Sequence, residues 1–326
     1  MSDWKNEMVE CLFPVNPKDL RIEIGQEIKY KNMPERLFKF CRFDKDGYYI
    51  NNLKNYTVWL SSPNKLNDPY DCAMTYSNQQ LFEKIFDKNI RKVISDMQAN
   101  GISFSEEEIN LIENSSDVHR KLVEIVVSKE PTIKENEREN ITNVMLTVLK
   151  EQLDKMPIAL ADASKETTVL TSFSERNDSI IMWSHYAANH TGFCLEYNFK
   201  QFGPKNKTNI LLYPVIYKNE LTDITKYLLS IDEQVFTNTI TVLAAITKSL
   251  EWEYEKEWRL LIPFNISKTE KEWDSPKPTA IYMGSKIEEN NQIILTDIAK
   301  QRNIPLFKAG IKQDKFELVF NEISIA

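Results

Sequence analysis

The sequence predicts an α+β fold: a mixed or antiparallel sheet in one domain over residues 1–326, interrupted by a helical insertion at 79–165. Three observations predict it. A chain of 326 residues with 42% hydrophobic and 27% charged content can bury a large core. Aromatic and β-branched runs lie on both sides of a block whose apolar residues recur at helical spacing. The seven glycines, at 25, 47, 101, 192, 203, 284 and 310, are too far apart to write GxGxxG, a P-loop or GxSxG. That excludes a standard Rossmann site, a Walker NTPase and a serine-hydrolase elbow, each of which needs closely spaced glycines for its tight turns.

Residues 1–36 are mixed and polar, and read as an arm with a short strand at Leu20–Ile24. LFKFCRFD from Leu37 and TVWLSSP at 57–63 read as strands, with DKDG as turn chemistry between them. In the block at 79–165, Leu81, Ile85 and Phe86, then Leu122, Ile125 and Val126, then Ile141, Val144, Met145 and Val148 mark helices. Ser105 and Glu108 have the spacing of a capping box. Thr168–Ser174 reads as a strand, followed by a short helix through IIMWSHYAANH with Asn177 or Asp178 as its cap. Gly192 ends that helix. In the strand after it, Phe193, Leu195, Tyr197 and Phe199 share one face, and Cys194, Glu196 and Asn198 the other. LLYPVIY is a strand with a proline-marked bulge or edge, 232–250 a helix and WRLLIP a buried strand. The tail repeats strand, helix, strand, strand through AIYMG, SKIEENNQIILTDIAKQRN, PLFKAGI and FELVF.

The formal charge of −7 repels polyphosphate and anionic lipid at long range, so nucleic-acid binding is not supported. The cysteines at 11, 41, 72 and 194 form no CxxC, and the first residues are polar, so a reducing cytoplasm is expected. No run approaches the roughly 18 apolar residues of a membrane span. Three histidines, at 119, 185 and 190, write no zinc pattern, and no metal site is expected.

Three constellations can carry chemistry. In SSPNKLNDPYDC, Ser61, Ser62, Asn64, Asn67, Asp68 and Asp71 crowd a strand exit, which suits ligand contacts, although residue types alone favour a turn of Asx side chains bonding their own backbone. In the helix after it, Met182, His185, Tyr186 and Asn189 form a stripe able to stack a flat ring and bond its edge, with Trp183 beside it; the same aromatics suit a core. In EWEYEKEWRLLI, an extended chain puts Glu253, Glu255, Glu257 and Arg259 on one face, whereas a helix makes them a solvated charged face.

FKFCRFD, WLSSPNKLNDPYD, TSFSE, MWSHYAANHTGFCLEY, Tyr217 and KSLEWEYEKEWRLLI, in that order, resemble the DUF2971 family of bacterial proteins. That family is similar, more distantly, to the ADP-ribosyltransferase superfamily, which includes toxins and proteins of phage-defence loci. The resemblance implies a split sheet around a cleft that takes NAD as substrate without a glycine-rich loop. It gives the adenosine-ribose side to Lys39 or Arg42 and the nicotinamide side to Ser61 or Ser62 with Tyr70, or to the serines of TSFS at 171–174. It makes Glu257 the ribose-orienting acid and Glu255 the group that orients or deprotonates an acceptor. Asn67, Asp68, Asp71, Trp183, His185, Tyr186 and Arg259 complete the expected nucleotide site, and a macromolecular acceptor or protein partner is expected beside it. Two alternatives stand. Asp68, Asp71, Glu255 and Glu257 converging on Mg²⁺ would make a nuclease or phosphodiesterase. The same pocket without turnover would make a nucleotide-sensing or protein-binding defence subunit.

Overall fold

The computed structural model describes residues 3–229, 239–263 and 270–324. The chain begins with α1 (Asp3–Leu12), α2 (Ile22–Asn32), β1 (Leu37–Cys41), α3 (Tyr48–Asn55) and β2 (Thr57–Leu60). Next come β3 (Met74–Thr75), α4 (Asn78–Ala99), α5 (Glu106–Glu113), α6 (Val118–Lys129) and α7 (Glu135–Thr167). The middle carries β4 (Val169–Ser174), α8 (Ile180–Tyr186), β5 (Phe193–Tyr197), α9 (Lys207–Leu211), β6 (Leu212–Pro214), β7 (Ile216–Lys218), β8 (Thr222–Asp223) and α10 (Thr225–Leu229). The last part is α11 (Thr239–Ala245), β9 (Thr247–Ser249), β10 (Glu257–Ile262), β11 (Lys271–Asp274), β12 (Ala280–Met283), α12 (Glu289–Arg302), β13 (Leu306–Ile311) and β14 (Leu318–Glu322).

The chain is an α+β protein of two compact units. One comprises Met1–Ala73, Ala163–Thr222 and Thr237–Ala326, the other Met74–Asp162 with Asp223–Phe236. In the first unit, among the described residues, eight strands form one sheet in the order β14-β13-β12-β5-β1-β4-β10-β6. Its neighbours are antiparallel except β12 and β13, which the α12 crossover makes parallel. A register line crosses the sheet through Ala280, Glu196, Phe38, Ser174 and Glu257, so these side chains share one face. The opposite face is apolar: Leu37, Cys41, Phe173, Leu195, Trp258, Leu260 and Ile281 pack with Leu53, Leu60, Leu295 and Ile298. On the first face, Phe38, Phe40, Cys194 and Tyr282 pack with Met182 and Trp183 of α8.

Several local expectations change in tertiary context. Leu20–Ile24 is no strand: α2 begins at Ile22 and packs on α1, so closely that a Cβ on Gly25 would lie 2.5 Å from Leu12 Cγ. A short apolar run does not distinguish strand from helix, and this packing decides. The cap of α8 is Ser179, whose hydroxyl accepts from Met182 N at 3.3 Å, because Asp178 is paired with Arg176 and the Asn177 carbonyl accepts the Trp183 indole. LLYPVIY divides at Val215 into β6 and β7, where Val215 N turns to the Glu257 carbonyl and Ile216 N to that of Ile246. The helix expected over 232–250 lies in part outside the described residues, and α11 ends at Ala245 because the chain joins β7 as the parallel strand β9.

In the second unit, Ile90, Ile94, Phe104, Ile112 and Leu122 form the core of α4 to α6. The capping box is made: Ser105 Oγ accepts from Glu108 N at 3.2 Å, and Glu108 Oε2 accepts from Ser105 N at 2.8 Å. Ser105→Ala is expected to destabilise this unit by ~1 kcal/mol and to speed amide exchange in α5. Unchanged exchange would show that the cap contributes nothing. No helix among the described residues is long and apolar enough to cross a membrane.

Candidate functional site

The site grows from the entry to β10. Leu250–Glu255 is a 3₁₀ turn, and Lys256 at φ +45° swings the chain into the strand. The expected shared face of Glu253, Glu255, Glu257 and Arg259 is therefore corrected: only Glu257 and Arg259 are related by strand alternation. Glu253 stays exposed and pairs with Lys256 at 3.1 Å. Glu255 nevertheless returns to the cluster, because the left-handed residue redirects the turn and Ser174 Oγ donates to the Glu255 carbonyl at 2.6 Å.

Five charged side chains meet here, each nearly sealed from solvent. Lys248 Nζ lies 2.6 Å from Glu255 Oε2 and 3.2 Å from Glu257 Oε2. Arg259 Nε donates to Glu257 Oε1 at 2.8 Å, Nη1 to the Ala245 carbonyl at 2.7 Å, and Nη2 lies 2.7 Å from Asp71 Oδ1. Glu257, Arg259, Asp71, Glu255 and Lys248 are all buried. Asp71 Oδ2 has no hydrogen-bond partner among the described residues. Three carboxylates thus face two cations, and the arrangement leaves one carboxylate charge in excess.

That imbalance separates the acids. Burial alone would raise Glu257, but the Arg259 and Lys248 charges against it win and hold it down to about 2. Burial raises Glu255, and the adjacent Glu257 charge adds to the rise against the pull of Lys248. Burial likewise raises Asp71 despite Arg259. Burial would lower Lys248, yet Glu257 keeps it above its ordinary value.

From Glu255 the network runs to the surface. Tyr186 OH donates to Glu255 Oε1 at 2.5 Å and accepts from Asn67 Nδ2 at 3.2 Å. Burial and Glu255 push Tyr186 upward, so it keeps its proton as a donor. Beside it Tyr254 OH lies 3.3 Å from His185 Nδ1, and burial with Glu255 pushes Tyr254 up to about 12. Tyr217 OH accepts from Glu257 N at 2.7 Å and fixes the first residue of β10.

Of the residues singled out from sequence, Asn67, Asp71, Tyr186, Glu255, Glu257 and Arg259 come together. The others do not. Lys39 lies on the opposite face of the sheet, because Phe38, not Lys39, is in register with Ser174 and Glu257. Its ammonium donates to Thr171 Oγ1 at 2.6 Å and sits 5.4 Å from the Phe173 ring. Arg42 is exposed beyond the end of β1. Ser61 bridges to Leu170 through backbone, Ser62 caps the next turn, and Ser62 N and Lys65 both bind Glu270. Asp68 accepts from Tyr70 N at 2.9 Å, the Asx turn that residue types alone suggest, and the Tyr70 ring is exposed. Trp183 is sealed in the core, edge-on to Phe40. His185 flanks the network, edge-on to the Tyr186 ring and 3.3 Å from Tyr254 OH, and reaches none of its charged groups. The Mg²⁺ arrangement of Asp68, Asp71, Glu255 and Glu257 is replaced by Lys248 and Arg259, which stand between the carboxylates. Among the described residues no group of three His, Cys, Asp or Glu is disposed to hold a metal.

Lys248 and Tyr217 are the members to which reading by residue assigns no role, whereas Ser174 belongs to the TSFS alternative. Lys248 stands in KSLEWEYEKEW, where its spacing from the glutamates marks nothing until β9 is placed against β7.

Residues 182–260 match the family model of DUF2971, described as a protein of unknown function. The matched stretch runs from α8 into β10 and holds every member of the network but Asn67, Asp71 and Ser174. No curated protein and no solved structure matches the chain.

Proposed function

We propose that the protein is an ADP-ribosyltransferase-like enzyme that uses NAD as substrate. The observation that carries this reading is a pair of neighbouring carboxyls driven in opposite directions, Glu257 down to about 2 and Glu255 up. Such a pair supplies two roles at once: a group held ionised and a group that takes up a proton more readily than an ordinary carboxylate. Breaking the nicotinamide–ribose bond sends the bonding pair to the nicotinamide nitrogen and leaves positive charge on the ribose. The ionised Glu257 favours that charge electrostatically. A hydroxyl acceptor, water or macromolecular, then bonds to the ribose carbon as its proton passes to Glu255. Tyr186 and Asn67, which carry the network to the surface, orient this exchange.

The serine contribution moves from Ser61 and Ser62 to TSFS, since Ser174 stands opposite Glu257 in the β4–β10 pairing and Ser172 opposite Arg259. The test is nicotinamide release from NAD, with and without macromolecular acceptors. Glu257→Gln is expected to lower release by about 10²-fold or more with NAD affinity retained, and Tyr186→Phe by about tenfold. Equal release by wild type and Glu257→Gln removes Glu257 from the chemistry. Saturable NAD binding with no release from the wild type makes the chain a sensor instead of an enzyme.

A further inference from the structure

Lys248 reaches the network from β9, whose parallel pairing with β7 sets it beside Tyr217. Its side chain is 3% exposed, so the ammonium depends on protein partners. An ammonium has three donors. Two carboxylate oxygens, Glu255 Oε2 at 2.6 Å and Glu257 Oε2 at 3.2 Å, surround this one together with the face of the Trp252 ring, whose centroid is 4.6 Å away. Ser249 Oγ caps the turn that follows by accepting from Glu251 N at 3.4 Å. One short stretch of chain therefore supplies the ammonium, the ring over it and Glu255.

The two acids do not share their cations equally. Arg259 donates to Glu257 through both Nε and Nη2, at 2.8 and 3.2 Å. Among the described residues, Lys248 is the one cation in contact with Glu255. Each Glu255 oxygen has its own donor, Lys248 on Oε2 and the Tyr186 hydroxyl on Oε1, so turning the carboxylate breaks a charge-assisted bond. The other titratable or charged groups that face this acid and its lysine are Glu257 and Arg259 of β10, Asp71, Tyr217 of β7, Tyr186 of α8 and Tyr254 of the same turn. Burial first and the neighbouring carboxylates second push all three phenols upward, so they keep their protons. Arg259 is engaged by Glu257 and Asp71. The charge left to offset Glu255 is that of Lys248.

We propose that Lys248 is a positioning residue for the reaction: it aims the Glu255 carboxylate and holds it ionised until the acceptor delivers its proton. The inference rests on the reading that Glu255 receives that proton. It divides the work between the two cations, Arg259 serving Glu257 and Lys248 serving Glu255. Without the ammonium, Glu255 keeps only a phenol and a neighbouring anion, so it takes up a proton at higher pH and is no longer free to act as a base.

The test follows the acid and the reaction separately in the full chain. In protein isotope-labelled at the glutamate carboxyls, the resonance that is lost in Glu255→Gln is titrated by NMR, and nicotinamide release from NAD is measured over the same pH range. Lys248→Met is expected to move the Glu255 midpoint up by about one pH unit or more, the effect of removing an opposite charge at contact distance. The acid limb of nicotinamide release is expected to move up with it, whereas a lysine that only supports the fold would lower release at every pH and leave the limb in place. Lys248→Gln keeps a donor for Glu255 and loses the charge. It is expected to shift the midpoint in the same direction, and it carries the test if the methionine variant does not fold. An unchanged Glu255 midpoint in a folded variant overturns the proposal, as does a limb that stays in place while release falls. Absence of release from the wild type removes the NAD reading alone, because the carboxyl titration still decides whether Lys248 governs Glu255.

Discussion

Arg259→Met is expected to destabilise the sheet-bearing unit by about 3–5 kcal/mol, the loss associated with removing one partner of a buried ion pair. Methionine keeps much of the volume, so the effect isolates charge from packing. Without the guanidinium, Glu257 loses two donors, Asp71 loses its only ion-pair partner among the described residues, and the Ala245 carbonyl loses its bond. The residual carboxylates are then buried with Lys248 alone. Chemical denaturation reads the loss directly. A double variant with Glu257→Gln is expected to be less destabilised than the two single changes added together, because each single change already breaks the same interaction. An Arg259→Met protein as stable as wild type would mean that the cluster is solvated in solution, and the electrostatic account of the site would fall with it.

Acid is expected to remove the Glu257 contribution over a defined window. Its folded value lies below the ordinary 4.5, so its stabilisation is present above that value and drains away as pH falls toward about 2. The shift corresponds to ~3 kcal/mol. Asp71 and Glu255 act in the opposite sense: their raised values stabilise the fold below the ordinary carboxyl range and lose that contribution as pH rises through them. Their contributions change chiefly above pH 4.5, so the wild-type stability curve between pH 4.5 and 2 is mainly the Glu257 loss. Denaturation midpoints for wild type and Glu257→Gln, measured across this range, separate the contributions. The variant is expected to show a much flatter acid limb. Parallel limbs would place the acid sensitivity elsewhere.

The strands around the site were legible because their residue types are strong and their periods clean. TVLTSFS, GFCLEY and EWRLLI all form strands, and the capping box of α5 is made by the residues whose spacing predicts it. The site was legible only in part. Asn67, Tyr186, Glu255, Glu257 and Arg259 were recognisable as polar groups at the ends of elements, but Lys39 was attached to them by position along the chain. Register alone decides its face: moving one residue along β1, from Phe38 to Lys39, carries a side chain from the sheet face shared with Ser174 and Glu257 to the opposite, apolar face. Trp183 fails for another reason. An indole at helical spacing looks the same whether it lines a pocket or fills a core, and only the packing of Phe40, Phe320 and His190 around it makes it core.

Composition and pattern by themselves determined the α+β class, the helical block, the absence of glycine-dependent nucleotide motifs, and the polar segments at the ends of the strands. Tertiary structure alone decided which charges meet. Asp71 is far along the chain from Lys248 and Arg259, and no local propensity rewards their contact. Their protonation states follow from burial and from Coulomb interactions across a few ångströms, which exist only once β4, β9, β10 and the turn at Asp71 are brought together.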